Sequence, residues 1–403
     1  MNSRKRRNVA RRRTTGVPNV LVVVGTRPES IKLAPLVHAL GRAGGVRATV
    51  VNSGQHRNAV RATLAELGVV ADVELPPMVP AQNVASAVGG MRGALRDVIE
   101  RHEPDVVCVQ GDTLTAYAAA RAAADAARVV AHIEAGLRVD DLADPFPEEW
   151  FRRRIASHAA LHFAPTHAAV ANLRAEGIAN ERIRCVGNPG IDSLRAVLAE
   201  LAGSAPLDRD RRRVIVTLHR RENLDANADL VCRALLRLAD ARRDLRILLP
   251  VHPNPRVAGR LHRWLGGHAR IALVAPLAYR PFIAAAAGAG LIISDSGGIQ
   301  EEAAHLGTPL LVPRASTERP ECLATGFVRL TSLDEDAIVG HAVDMLSERP
   351  RDALPIDARA PFGDGFASER IARVLAHVLG TSADRVPAAW STGEPWGGMP
   401  AFA

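Results

Sequence analysis

Short β-branched, apolar runs alternate with Ala-, Leu- and Arg-rich stretches of helical length along most of this 403-residue chain. Few architectures accept that alternation: strand, helix and strand in the same direction make a βαβ unit, and repeated units make a parallel sheet with helices on both faces. A first set of strands is predicted at Val20–Val24, Ala48–Asn52, Val106–Val109, Val129–Ile133 and Leu161–Ala164, with helices at Ser30–Arg42, Asn58–Leu67, Asn83–Arg101, Leu114–Ala126 and from near Pro147. A second set places strands at Val214–Leu218, Leu245–Leu249, Ile271–Val274, Leu291–Ser294 and Pro309–Val312, with helices at Leu230–Ala241, Val257–Leu265, Pro281–Ala287, Ile299–His305 and Asp336–Ser347. Between them Gly203–Arg213, with Gly, Ser, Pro and a charge run, reads as a linker. One core rarely grows past roughly 250–300 residues, so two are expected. The fold class is therefore α/β, with doubly wound domains over 18–190 and 191–365 facing across a cleft. A helix at 366–380 follows, and the basic leader 1–17 and the tail 381–403 are expected to be disordered.

Charge narrows the function. Seven of the residues behind the formal +8 are Arg4, Lys5, Arg6, Arg7, Arg11, Arg12 and Arg13, and without them the body stands at +1. A nucleic-acid-binding surface on the folded part is not expected. The longest weakly polar run, Pro281–Ile293, has 13 residues, short of the roughly 20 that span a bilayer, so no membrane insertion is expected. The apolar run Val20–Val24 ends in Gly-Thr-Arg-Pro without a cleavage site, which points to a cytoplasmic protein. Cys108, Cys185, Cys232 and Cys322 show neither metal-ligand nor disulfide spacing and read as buried thiols. Lysine occurs only at Lys5 and Lys32. An ammonium is a compact charge where guanidinium is a planar fork, so Lys32 suits a crowded phosphate site.

The chemistry-bearing segments follow predicted strands, where open α/β sheets bind ligands. Gly25-Thr26-Arg27-Pro28-Glu29 leads into the helix carrying Lys32 and forms a plausible diphosphate seat. Asp112, at the end of Val-Gln-Gly-Asp-Thr, is either a helix N-cap or an acid. Glu134, in His132–Arg138, is an acid at a strand end that needs a partner, for which Arg138 is available, or a use. Glu148 and Glu149 open a Pro-initiated helix. In the second half His219, Arg220 and Arg221 follow one strand, and Ser296, Gly297 and Gly298 offer amides to phosphate at another. Glu302, one turn on, suits ribose hydroxyls. The acids form a set suited to proton transfer, and no metal or cofactor is expected.

Taken in order, the motifs GTRPEsIKlAPl, GQHR, PDVVcVqGDT, HIEAGLR, PfPEE, GN, TlHRREN, VHpNP, DSGGIQEE, TERPE and PfGDG resemble the UDP-N-acetylglucosamine 2-epimerase family of the GT-B fold, from about Asn19 to Leu379. The resemblance implies a homodimer that interconverts UDP-GlcNAc and UDP-ManNAc by eliminating UDP to 2-acetamidoglucal and adding it back. It implies Asp112, Glu134 and Glu148 as acid/base groups, with His219 assisting. It places Arg27 and Lys32 at the phosphates, Ser296, Gly297 and Gly298 at UDP and Glu302 at the ribose. Alternatives with the same motifs are a hydrolysing epimerase releasing ManNAc and UDP, an epimerase of a modified UDP-sugar, and a silent nucleotide-sugar-binding protein. The chain departs from the family pattern at Trp150, Phe151, Arg152, Pro189, Ala315, Phe327 and Phe362. Phe151, Phe327 and Phe362 add bulk or remove hydrogen-bonding capacity, which suggests an altered sugar.

Overall fold

Two fully parallel sheets carry the chain. The computed structural model describes residues 16–79, 83–139, 146–204, 208, 210–218, 227–251, 254–348 and 360–382. Most of the basic leader, nearly all of the tail, and His219 with Arg220 and Arg221 lie outside the described residues.

In chain order the first half runs β1 (Asn19–Val24), α1 (Arg27–Ala43), β2 (Arg47–Asn52), α2 (Arg57–Glu66), β3 (Val73–Glu74), α3 (Val84–His102), β4 (Val106–Gln110) and α4 (Leu114–Asp125). It continues with β5 (Val129–Ile133), α5 (Glu148–His158), β6 (Leu161–Ala164), α6 (His167–Ala175), β7 (Ile183–Cys185) and α7 (Pro189–Ser204). The second half runs β8 (Asp210–Thr217), α8 (Ala228–Ala241), β9 (Arg246–Pro250), α9 (Pro255–Leu265), β10 (Ile271–Val274), α10 (Tyr279–Ala287) and β11 (Ala289–Ser294). It ends with α11 (Gly297–Leu306), β12 (Leu310–Pro313), α12 (Pro320–Ala324), β13 (Val328–Thr331), α13 (Glu335–Ser347) and α14 (Ala367–Val378). Sheet orders are β3-β2-β1-β4-β5-β6-β7 and β10-β9-β8-β11-β12-β13. Both are doubly wound, as the alternation implies.

The reason shows in β1. Val20, Val22 and Val24 pack under α1 against Leu33, Leu36 and Leu40, while Leu21 and Val23 pack on the other face against Leu95 and Ile99 of α3 and the alanines of α4. A strand covered on both faces has no polar side, so it reads as a continuous apolar run. The small side chains of α4 allow close approach to its neighbours.

The structure corrects the expected linker. Gly203 and Ser204 end α7, and Asp210–Arg213 already belong to β8, so helix and strand occupy most of the expected linker. The final helix, expected after the second domain, packs Ile371, Val374 and Leu375 of α14 into the first core beneath α1. A further apolar cluster joins the halves through Leu194 and Val197 of α7, Phe282 and Ile283 of α10, Ala303 of α11 and Phe362. The elements β3, β7, α6, α7, α12 and β13 are not among those predicted from the sequence. All four cysteines are buried and unpaired with one another.

Candidate active site

Each sheet order reverses once, between β1 and β4 and between β8 and β11, and the crevice beyond such a pair is where α/β sheets take ligands. A side-chain bond closes each reversal. Thr113 Oγ1 donates to Glu29 Oε1 at 2.7 Å, and Thr217 Oγ1 donates to Ser294 Oγ at 2.8 Å. Glu29 Oε2 also accepts from the amides of Gly25 and Thr26 at 2.8 and 2.6 Å, closing the start of α1. Burial pushes its carboxyl up to about 7 against those three donors. The turn needs glycine at 25, because a Cβ there would lie 2.6 Å from Thr115 Cβ.

Beyond β4 the cap of α4 is Thr113, whose Oγ1 accepts from Ala116 N at 3.0 Å. Asp112 is therefore not the cap. Its half-buried carboxylate instead pairs with the buried Arg152 of α5, which holds Glu149 at 3.0 Å by its other nitrogen. Beyond β5 Glu134 adopts φ +62°, a left-handed conformation that costs a non-glycine residue on the order of 1–3 kcal/mol and persists only where its surroundings impose it. Its expected partner Arg138 pairs with Glu176 at 2.7 Å instead. Glu134 Oε2 is held by Lys32 and by Asn188 Nδ2 at 2.8 Å, and Oε1 faces Arg319 at 3.3 Å. Burial raises the Glu134 carboxyl, but Lys32 and Arg319 outweigh it and leave it below the usual range. A Cβ on Gly111 would come within 3.8 Å of Glu134 Oε1, so Asp112 begins beside this carboxylate.

The second sheet supplies the other wall. Helix α11 opens at Gly297, and no cap bond from Ser296 occupies its amides. A Cβ on Gly297 would lie 2.8 Å from Arg319 Cζ and 3.0 Å from Glu318 Oε1, so glycine leaves the guanidinium room over the helix start. Arg319 also holds Glu301 and Glu318, each at 2.5 Å. Glu302, one residue on, accepts from Tyr279 Oη at 2.8 Å. Burial pushes its carboxyl up to about 7, opposed by Tyr279 and by the charges of Lys32 and Arg27. Arg27, half-buried, thus acts on the second sheet from the start of α1. Glu66 of α2 receives the amides of Tyr279 and Arg280 at 3.0 and 2.7 Å, and Thr166 donates to Glu321 at 2.6 Å. These bonds hold the two halves around the crevice.

The structure thus gathers Lys32, Asp112 and Glu134 from the first half and Gly297, Gly298 and Glu302 from the second, with Arg27 and Ser296 at the margins. Glu148 stands half-buried at the start of α5, and the residue wired to Asp112 through Arg152 is its fully buried neighbour Glu149. Phe151 is corrected: 1% exposed, it stacks on Tyr117 at 5.0 Å in the apolar core and does not shape a sugar pocket. Phe362 is likewise core. Three side chains without an assigned role from sequence, Asn188, Arg319 and Arg152, turn out to hold the carboxylates, and a fourth, Glu301, is held among them. Each stood in a recognised segment, yet only the distances show what it touches. Among the described residues no three or more His, Cys, Asp or Glu are grouped to hold a metal ion, and no helix is long and apolar enough to cross a membrane.

Comparison with known proteins points to one family. A UDP-N-acetylglucosamine 2-epimerase from Escherichia coli (strain K12) is 40% identical over 368 residues, covering 88% of this chain and 98% of the relative. The crystal structure of UDP-GlcNAc 2-epimerase from Neisseria meningitidis bound to UDP-GlcNAc superimposes with a TM-score of 0.83 at 35% identity, covering 89% of this chain and all of that one. A forosaminyltransferase, at TM-score 0.56 and 16% identity, shares the fold alone. The two facing sheets are those of the GT-B fold. With the family model for UDP-N-acetylglucosamine 2-epimerase matching residues 38–376, the chain belongs to the UDP-N-acetylglucosamine 2-epimerase family.

Proposed function

We propose that the chain is an isomerase that interconverts UDP-GlcNAc and UDP-ManNAc at the second sugar carbon by eliminating and re-adding UDP. The hydrogen on that carbon is too weakly acidic for direct removal. A base takes it while the C1–O bond to the diphosphate breaks, and the electron pair forms the C1–C2 double bond of 2-acetamidoglucal. UDP then attacks C1 while an acid delivers a proton to the opposite face of C2. This needs acid/base groups flanking one carbon and positive charge on the leaving diphosphate.

The observation that carries the reading is the meeting of Lys32, Glu134, Asn188, Glu301 and Arg319 between the two sheets, against the start of α11, whose Ser296 makes no cap bond. In this reading residues 18–190 supply the chemistry, through Asp112, Glu134 and Glu148, and 191–365 hold the nucleotide. Ser296, Gly297 and Gly298 receive UDP, Glu302 the ribose, and Arg27, Lys32 and His219 attend the diphosphate. The chain works in the cytoplasm as a homodimer, which light scattering checks. NMR of the chain with UDP-GlcNAc in heavy water tests the reaction: UDP-ManNAc with deuterium at C2 is expected. Free ManNAc with UDP would make it a hydrolase, and no product would defeat the reading.

A further inference from the structure

Glu134 and Glu301 come from different halves of the chain and meet over one carboxamide. The fully buried Asn188 donates from Nδ2 to Glu134 Oε2 at 2.8 Å and to Glu301 Oε2 at 2.7 Å. A carboxamide has two such hydrogens, so both are used. Two cations face the pair: Lys32 on Glu134, and Arg319 on Glu301 at 2.5 Å and on Glu134 at 3.3 Å. Burial raises Glu301, with Lys32 and Arg319 opposing and Glu134 reinforcing, and it ends above the usual carboxylate range while Glu134 ends below.

The same cations face the position of the substrate's charge. Arg319 lies over the start of α11, as the space at Gly297 requires. The diphosphate diester of a nucleotide sugar brings two negative charges and no proton to release near neutrality. Seated on those amides it competes with the carboxylates for Arg319 and Lys32. Two carboxylates bridged by one amide, with their cations drawn toward an arriving dianion, do not both remain charged.

We infer that binding of the nucleotide-sugar diphosphate loads one solvent proton onto the buried Glu134–Glu301 pair, so that the substrate itself arms the acid, and that Glu301 is the positioning residue that makes this possible. The inference rests on the substrate reading above. The proton adds to a carboxylate oxygen, the pair passes from two negative charges to one, and no other bond changes. Other charged groups around the pair are Glu318 and Arg314 behind Arg319, Arg27 and the Tyr279–Glu302 pair on the second sheet, and Asp112 with Arg152 beside Gly111. His132, two residues before Glu134, has its Nε2 2.8 Å from Gly111 O, and burial pushes it down to about 4, so it stays neutral.

Calorimetric titration in buffers of different ionisation enthalpy reads the proton directly. The titrant is UDP-GlcNAc already brought to equilibrium with its epimer, so that turnover adds no heat. At pH 7 the wild-type chain is expected to take up roughly half to one proton more per site than Glu134→Gln, with Glu301→Gln in between. Glu302 cancels in the difference between the wild-type chain and Glu134→Gln; in Glu301→Gln it loses a neighbouring charge that raises it. In Glu301→Gln the alkaline limb of the kcat profile is expected to move down by about one pH unit, because the neighbouring charge that raises the acid is gone. Equal proton stoichiometry in the three chains, with binding intact, overturns the inference. Should the variants fail to fold, the wild-type chain at pH 8, where Glu302 is already mostly ionised, decides: net uptake supports proton loading and its absence overturns it. Failure of the folded wild-type chain to bind defeats the substrate reading instead.

Discussion

The two sheets share a winding order but equip their carboxyl ends differently. The first presents acids held by cations: Asp112 by Arg152, and Glu134 by Lys32 and Arg319. The second presents backbone, with α11 opening on Gly297 and Gly298 and no cap bond from the Ser296 side chain. Ionised side chains can change protonation during a reaction, whereas amides can only hold a charge in place. The contrast fits the proposed division, with proton transfer on the first sheet and grip on the nucleotide on the second. It is not absolute, because Arg319 and Glu301 reach across to set the charge on Glu134.

Substitutions can break or sharpen this division. The largest effect is expected from Asp112→Asn or Glu134→Gln, which should lower kcat by at least roughly 100-fold, as loss of a general acid or base does. Each should leave UDP bound at least as tightly, since the guanidinium or ammonium it held is released; NMR turnover and calorimetry measure the two. Gly297→Ala should do the reverse. Its Cβ meets the Arg319 guanidinium, and UDP affinity is expected to fall about tenfold or more, about 1.4 kcal/mol, with kcat at saturation less affected.

Uridine has no phosphate, so its affinity isolates Glu302. On the proposed reading this carboxyl, pushed up by burial to about 7, accepts hydrogen bonds from ribose best when ionised. Affinity should therefore fall as pH drops below 7, approaching tenfold per unit, and Glu302→Gln should flatten that dependence in equilibrium binding. The smallest effect concerns scaffolding. Asp192 of α7 accepts from the amides of Ala367 and Ser368 at 3.1 and 2.6 Å and so caps α14. Asp192→Ala should cost about 1 kcal/mol and lower Tm by about 2–4 °C in a melting scan, with kcat and UDP affinity unchanged. A catalytic loss there would blur the division.

Much of this was legible in advance. The strands of both sheets were readable to within a few residues wherever both faces are covered, because an unbroken apolar run is a local signal. Lys32 stood out as the single lysine of the body, and Asp112 and Glu134 as acids at strand ends. The alternatives, an N-cap for Asp112 and Arg138 as the partner of Glu134, are equally reasonable from neighbours in the chain. Thr113 and Glu176 displaced them, and Phe151 went to the core because its side of α5 faces Tyr117.

The amino-acid order alone thus determined the two windings, the strand-end positions of the reactive segments and the family they resemble, since each depends on residues near one another in the chain. Which acid is charged, and by whom, was settled only by folding. Lys32 meets Glu134 from 102 positions away, Glu301 meets Asn188 from 113 and Arg319 meets Glu134 from 185. Burial makes each of those charges costly alone, and only the closure of one sheet against the other brings the opposite charges and donors that hold them.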